Sequence, residues 1–319
     1  MNVPWGLFGL LAFAAMVVAV AVLLLLVRRL RHPPRRTAGW ALGRGRPVDP
    51  GDLGLPFRED EVAGMPCWIV GRDEATLSAA ESPTVVLLHG WGRSRRDMLA
   101  RLEPWLRLGY RMAIPDLRGH GDAEGPSTLG TREIDDVLTL LEALPADAVH
   151  LCGHSMGGVI AIHVAARSRE AGGSGRRLPP IAGVVAIAPY ERLRIPAIAQ
   201  FESNGLGGRW CTGPLLAVLH LLGVREISTR EAAERLETPL LVLHGDADRL
   251  CPLDDAERIA NAADERGAFI AIEGAGHDDP RPEILASMES AIESMLASGR
   301  EGRHRSTAPE VHRPRGDGG

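Results

Sequence analysis

The stretches "TVVLLH" from Thr84, "AVHLCG" from Ala148, "AGVVAIAP" from Ala182 and "PLLVLHG" from Pro239 are apolar at consecutive positions. A strand with one face in water alternates polar and apolar residues, whereas a strand covered on both faces does not. These runs therefore fit a sheet covered by helices on both faces. "PCWIV" from Pro66, "RMAIPD" from Arg111 and "AFIAIEG" from Ala268 supply further strands. Between the strands, "DMLARLEPWLRLG", "REIDDVLTLLEAL", "GGVIAIHVAARSR", "DDAERIANAADERG" and "PEILASMESAIESML" repeat apolar residues at three- and four-residue spacing, which is the helical period. Strand and helix in alternation predict an α/β fold with a mostly parallel sheet and helices on both faces. From about Glu191 to Thr238 the rhythm breaks for longer than an ordinary connection, which predicts an inserted, short helical cap.

The chain's ends read differently. Val3 to Val27, "VPWGLFGLLAFAAMVVAVAVLLLLV", carries no charged side chain and is long enough to cross a bilayer as a helix. The basic cluster "RRLRHPPRR" follows the run instead of preceding it, and no small-residue cleavage site appears, so the run reads as an uncleaved transmembrane anchor. Positive charge on the C-terminal flank predicts a single-pass protein of the cell membrane with its main domain in the cytoplasm. The expected organisation is an anchor over 1–27, an Arg/Pro/Gly-rich linker over 28–55, a folded domain over 56–297 with the cap at about 191–238, and a disordered tail over 298–319.

Within the domain, "HLCGHSMGGVIA" places a serine between a strand pattern and a helix pattern, boxed by glycines. In an open parallel sheet, sites form outside the carboxyl ends of strands. Gly153-His154-Ser155-Met156-Gly157 fits a sharp strand-to-helix turn that presents a hydroxyl. Such a hydroxyl needs a histidine base and a carboxylate to orient it. Both follow in the chain: "LLVLHGDADRLCP" supplies Asp246 and Asp248, and "FIAIEGAGHDDP" supplies His277.

Taken together, "VVLLHGWG", "PDLRGHGDAEG", "GHSMGG", "HGDADRLCP" and "GAGH" resemble an α/β-hydrolase from about Phe57 to Leu296. Within that superfamily the pattern is similar to monoacylglycerol lipases, serine aminopeptidase-like hydrolases and membrane-attached Bem46-like hydrolases. The resemblance implies an α/β-hydrolase fold with Ser155 as nucleophile, Asp248 as acid and His277 as base, Asp246 being the alternative acid. It implies an oxyanion hole from the backbone N–H groups of Trp91 and Met156, with the Trp91 indole as a candidate wall of the acyl pocket. It gives His89, His120, His154 and His244 structural hydrogen-bonding roles. Asp116 and Arg118 in "PDLRGHG" read as a loop-fixing ion pair, and Asp278 and Asp279 as shaping the loop after His277.

A serine nucleophile favours acyl transfer to water and argues against the aspartate chemistry of dehalogenases and epoxide hydrolases. The substrate expected is a small-molecule acyl ester or a lipid such as a monoacylglycerol or lysophospholipid, since a membrane tether raises the effective concentration of lipids. A thioesterase, a peptidase or a non-catalytic membrane-bound binding protein of the same fold are the alternatives. No cofactor is implied and no spacing of His, Cys and acidic residues demands a metal. The cap's "WCTGPLLAVLHLLGV", with Phe201 and Trp210, is a candidate acyl-pocket lining, although a cap helix must bury one face whatever it covers. A net charge of -5 with mixed signs argues against a nucleic-acid partner. Every basic residue is arginine, which removes lysine chemistry altogether, and Cys67, Cys152, Cys211 and Cys251 form no metal or disulfide pattern.

Overall fold

The structure, a computed structural model, describes residues 5–79, 83–173, 175–203, 208–279, 281, 286, 289–294 and 296. The expected tail over 298–319 lies outside these residues, as do residues 282–285, 287, 288 and 295 of the last expected helix and the side chains of Phe201 and Trp210.

Eight strands form one sheet: β1 (Phe57–Val62), β2 (Met65–Val70), β3 (Thr84–Leu88), β4 (Arg111–Pro115), β5 (Val149–His154), β6 (Ile181–Ile187), β7 (Leu240–Gly245) and β8 (Gly267–Ile272). Their spatial order is β1-β2-β4-β3-β5-β6-β7-β8. The pairs β1/β2 and β2/β4 are antiparallel and all others parallel, as crossover helices require. The continuously apolar runs are the central strands: β3, β5 and β7 are buried at every position. One core cluster lies on each face of the sheet, the first including Val86, Leu88 and Leu151 and the second Val85, Leu87 and Cys152, as alternating side chains dictate. Strand β1, "FREDEV", has no counterpart in the sequence reading because its consecutive charges point to solvent along the sheet's edge. It is joined to β2 by Ala63 and Gly64, both at positive φ, the geometry of a two-residue hairpin turn.

The helices are α1 (Trp5–Arg31), α2 (Ala38–Leu42), α3 (Glu74–Ser78), α4 (Glu103–Arg107), α5 (Glu133–Ala143), α6 (Met156–Gly173), α7 (Arg194–Ser203), α8 (Gly208–Leu221), α9 (Thr229–Ala233) and α10 (Leu253–Ala262). The run "DMLARLEPWLRLG" is not one helix: a 3-10 segment, Arg95–Arg101, gives way at Leu102 to α4, with Pro104 in its first turn. Helix α6 is buried all round for its first three turns, His163 included, because β5, β6, α5 and α9 enclose it. The inserted segment forms α7, α8 and α9, with α7 and α8 packed on each other.

Helix α1 is long and apolar enough over Phe8–Arg31 to cross a membrane. It runs four residues past the expected boundary at 27. The linker region beyond it has local structure that composition did not announce. Helix α2 buries Ala41, Arg36 and Arg44 stack on the Trp40 ring at 4.4 and 4.6 Å, and Arg36 pairs with Asp97. The expected Asp116–Arg118 pair does not form. Buried Asp116 instead faces the Arg95 guanidinium at 3.3 Å, and Arg118 forks onto Asp136 at 2.5 and 2.6 Å. Asp116 Oδ1 and Oδ2 also accept the Arg95 and Asp122 N–H groups, so this carboxylate ties the loop together from inside.

Candidate active site

The turn after β5 brings three backbones into contact. A Cβ on Gly153 would lie 2.1 Å from the Gly157 oxygen, and one on Gly157 would lie 2.1 Å from the Leu88 oxygen. Glycine is required at both ends because strand, helix and the neighbouring β3 touch there through main chain alone. Ser155 at the apex has φ +53°, a left-handed conformation costly for any residue with a Cβ. Its N–H donates to the Ile187 oxygen at 2.7 Å, which pins the strained residue to the end of β6.

From that apex a line of hydrogen bonds runs across the sheet's carboxyl edge. Ser155 Oγ is 2.9 Å from His277 Nε2, and His277 Nδ1 is 2.7 Å from Asp248 Oδ2. The other Asp248 oxygen, Oδ1, accepts the N–H groups of Leu250 and Cys251 at 2.8 and 2.9 Å. Burial alone would raise the Asp248 pKa, but the hydrogen bond from His277 and those two N–H groups bring it below the ordinary carboxylate value. Asp246 stands apart: it is exposed and its Oδ1 accepts the Gly274 N–H at 2.7 Å, bracing the β7 turn against the β8 turn.

The loop after β3 flanks the serine. A Cβ on Gly90 would sit 3.2 Å from Ser155 Cβ, so the main chain entering Trp91 passes directly beside Ser155. Among the described residues no acceptor meets the main-chain N–H of Trp91 or that of Met156, the first residue of α6. Both donors are thus left unpaired, and the α6 N-terminus makes the spot beside them favourable to negative charge.

A shell of neutral histidines holds this edge. His154 Nε2 donates to the His277 carbonyl at 2.8 Å, and burial drives the His154 pKa down to about 3. His89 bridges Gly90 O and Leu117 N at 2.9 and 3.0 Å, burial lowering it to about 4. His244 Nε2 lies 3.0 Å from Cys251 O. Beyond them Asp278 pairs with Arg93 at 2.6 Å and Arg101 at 3.2 Å, and Asp279 Oδ2 accepts the Gly276 N–H at 3.3 Å, which fixes both sides of the His277 loop. The role of Arg93 and Arg101 had no signal in the sequence, where they are two arginines among many.

Asp248, Cys251 and His277 bring donor atoms within 4.8 Å of one another, a spacing that a metal ion could use. The donor set does not suit one. Both Asp248 oxygens and both His277 nitrogens are engaged, and burial raises the Cys251 thiol well above its usual pKa, which disfavours the thiolate a metal would use. A cavity of about 450 Å³ between α5, α6 and the α8–α9 connection is lined by charged groups such as Arg167, Arg192, Arg225 and Glu231, and by none of Ser155, His277 or Asp248.

A model of the Alpha/beta hydrolase family matches residues 85–287, most of the domain that holds this constellation. The chain belongs to the alpha/beta hydrolase family. Among curated relatives it is 28% identical over 116 residues to the AB hydrolase superfamily protein YfhM of Bacillus subtilis, covering 34% of this chain and 41% of that one. It is 42% identical over 87 residues to the pimeloyl-[acyl-carrier protein] methyl ester esterase of Aromatoleum aromaticum, covering 27% and 32%. The matched regions thus span less than half the length of these relatives. Among solved structures, a Pyrococcus furiosus esterase, Pf2001, superposes with a TM-score of 0.65 at 19% identity over 84% of this chain and 98% of its own. A membrane phospholipase A described as a bacterial virulence factor superposes with a TM-score of 0.59 at 22% identity over 93% and 98%. At such identities the likeness is one of fold.

Proposed function

We propose that the protein is a membrane-anchored serine hydrolase that cleaves carboxylic esters through an acyl-enzyme. The observation that carries the reading is the continuous Ser155–His277–Asp248 hydrogen-bond line at a left-handed serine, with two free N–H groups beside it. His277 Nε2 takes the Ser155 proton as Oγ bonds to the ester carbonyl carbon. The carbonyl oxygen becomes an oxyanion held by the Trp91 and Met156 N–H groups. Collapse breaks the bond to the alkoxy oxygen, which leaves with the proton from His277. Water then repeats the sequence on the acyl-enzyme and releases the carboxylic acid. Asp248 keeps His277 in the tautomer that can accept at Nε2 and stabilises its charged form. No cofactor enters any step.

The ester class is supported by the activity of one relative, a methyl ester esterase. A lipid-like acyl ester, such as a monoacylglycerol or lysophospholipid, is supported by α1 and by the apolar cap helix α8. Arg28, Arg29 and Arg31 at the domain end of α1 favour a cytoplasmic domain by the positive-inside rule. The test is a hydrolysis panel with p-nitrophenyl esters of increasing chain length, a monoacylglycerol, an acyl thioester and an anilide, run on the wild type and Ser155→Ala. Ester turnover that disappears in the variant supports the reading. Amide turnover with inert esters, or turnover that survives the substitution, would overturn it.

A further inference from the structure

The last two turns of α1 are not free of the domain. Along α1, the residues before Leu23 that are described are exposed, whereas Leu23, Leu26, Val27 and Leu30 are wholly or partly buried. Their three- and four-residue spacing makes one stripe on the helix. That stripe packs with Leu215 and Leu219 of α8, with Leu129 and with Trp91.

Polar contacts tighten the same junction. The last carbonyls of a helix have no partner within it. Here the Trp91 indole Nε1–H donates to the Leu30 oxygen at 2.9 Å, and the Ser127 N–H donates to the Arg31 oxygen at 2.8 Å. Further along, the Arg35 guanidinium donates to the Gly121 oxygen at 3.2 Å. The end of the apolar helix is therefore capped by the loops after β3 and β4, and one capping group belongs to the residue whose main-chain N–H lies next to Ser155.

We propose that this final stretch of α1 is a positioning element of the active site: by accepting the Trp91 indole N–H and burying its ring, it sets where the Trp91 main-chain N–H points. The inference rests on the reading of Trp91 as an oxyanion donor. Gly90 and Gly92 flank Trp91 and Gly92 has φ +69°; His89 Nδ1 and the Arg93 N–H hold the Gly90 oxygen, and the indole anchorage fixes the Trp91 side of the loop that those bonds leave. A misplacement of about 1 Å in such a donor costs up to about a hundredfold in rate. A second consequence follows from helix geometry. At 1.5 Å rise per residue, Leu23 lies roughly 10 Å from Leu30 along the axis. With Arg28, Arg29 and Arg31 at headgroup level, the α8 side chains on this stripe reach the edge of the apolar layer. At the end of α8, Leu221 is 84% exposed and faces outward.

The experiment uses the full chain in detergent micelles with a short p-nitrophenyl ester and a boronic acid that mimics the tetrahedral intermediate. Trp91→Phe keeps an aromatic ring and removes the indole N–H together with the pyrrole half of the side chain. Leu26→Ala combined with Val27→Ala loosens the stripe without touching Trp91, and Leu24→Ala combined with Leu25→Ala alters the exposed side of the same helix. The expected result is a fall in kcat of about tenfold or more for the first two with KM little changed, a parallel loss of boronic acid affinity, and no change for the third. Covalent labelling of Ser155 by a fluorophosphonate in the wild type monitors the underlying functional reading separately. If Ser155 labels and the first two variants keep kcat and boronic acid affinity within twofold, or fall no further than the third, the positioning role is overturned and the esterase reading stands. If the wild type neither labels nor hydrolyses, both fall together.

Discussion

Exchanging the carboxylate behind His277 for an amide gives a prediction whose size can be worked from the hydrogen bonds. Asp248 Oδ1 accepts from the N–H groups of Leu250 and Cys251, at 2.8 and 2.9 Å, and only Oδ2 faces His277. In Asp248→Asn the amide oxygen must stay on the two N–H donors, because an NH2 group there would meet donors at hydrogen-bond distance. The NH2 group then faces His277 Nδ1, which has to become an acceptor, and the ring proton moves to Nε2. That tautomer points a hydrogen at Ser155 Oγ, 2.9 Å away, and cannot take the serine proton. The loss should approach about 10⁴-fold in kcat, near 5.4 kcal/mol of barrier, as in other triads with this exchange. Asp246→Asn keeps an oxygen for the Gly274 N–H and should lose less than about tenfold, through the turn it braces. The assay is steady-state hydrolysis of a short activated ester, with circular dichroism to show both variants folded. A greater loss at Asp246 than at Asp248 would refute the reasoning.

Gly157→Ala should prevent the domain from accumulating folded, since its Cβ would meet the Leu88 oxygen at 2.1 Å, whereas Gly172→Ala, in open space on α6, should shift the melting temperature only slightly and upward. Expression and thermal melts of the two variants check this, and a normal melt for Gly157→Ala would contradict it. Acid should destabilise the domain through its buried histidines, offset in part by Asp116, whose carboxyl burial pushes up to about 6. Burial holds His89 and His163 down at about 4 and His120 and His154 at about 3, while unfolded imidazoles take a proton near 6.5. Their contribution is complete above about pH 6.5 and is lost as pH falls, at about 1.4 kcal/mol per pH unit for each ring, so Tm should drop steeply from pH 6 to 4. A flat Tm across that window would count against buried neutral histidines. A reporter fused after Gly319 should be shielded from protease added outside intact cells, and its digestion there would reverse the proposed orientation.

The central sheet was readable because its strands are buried on both faces, leaving unbroken apolar runs such as "TVVLLH" and "PLLVLHG". Strand β1 was not, since an edge strand of "FREDEV" looks like a loop until its partner is known. At the site, the elbow glycines and the order of serine, acidic turn and histidine lie in short contiguous motifs, and the structure brings Ser155, Asp248 and His277 to hydrogen-bond distance. The Asp116 pairing was misread because its arginine, Arg95, sits 21 residues away, whereas Arg118 is adjacent only in sequence. Nothing in the sequence pointed to Leu30: a main-chain carbonyl has no residue signature, and its link to Trp91 spans 61 residues.

The most direct measurement is to label the purified full-length protein with a fluorophosphonate, digest it and locate the adduct by mass spectrometry. The structure predicts a single adduct on Ser155, formed with loss of the probe's fluoride, absent from Ser155→Ala and strongly slowed in His277→Ala. An adduct on another residue, or an unlabelled wild type that is folded, would contradict the assignment of Ser155 as the nucleophile.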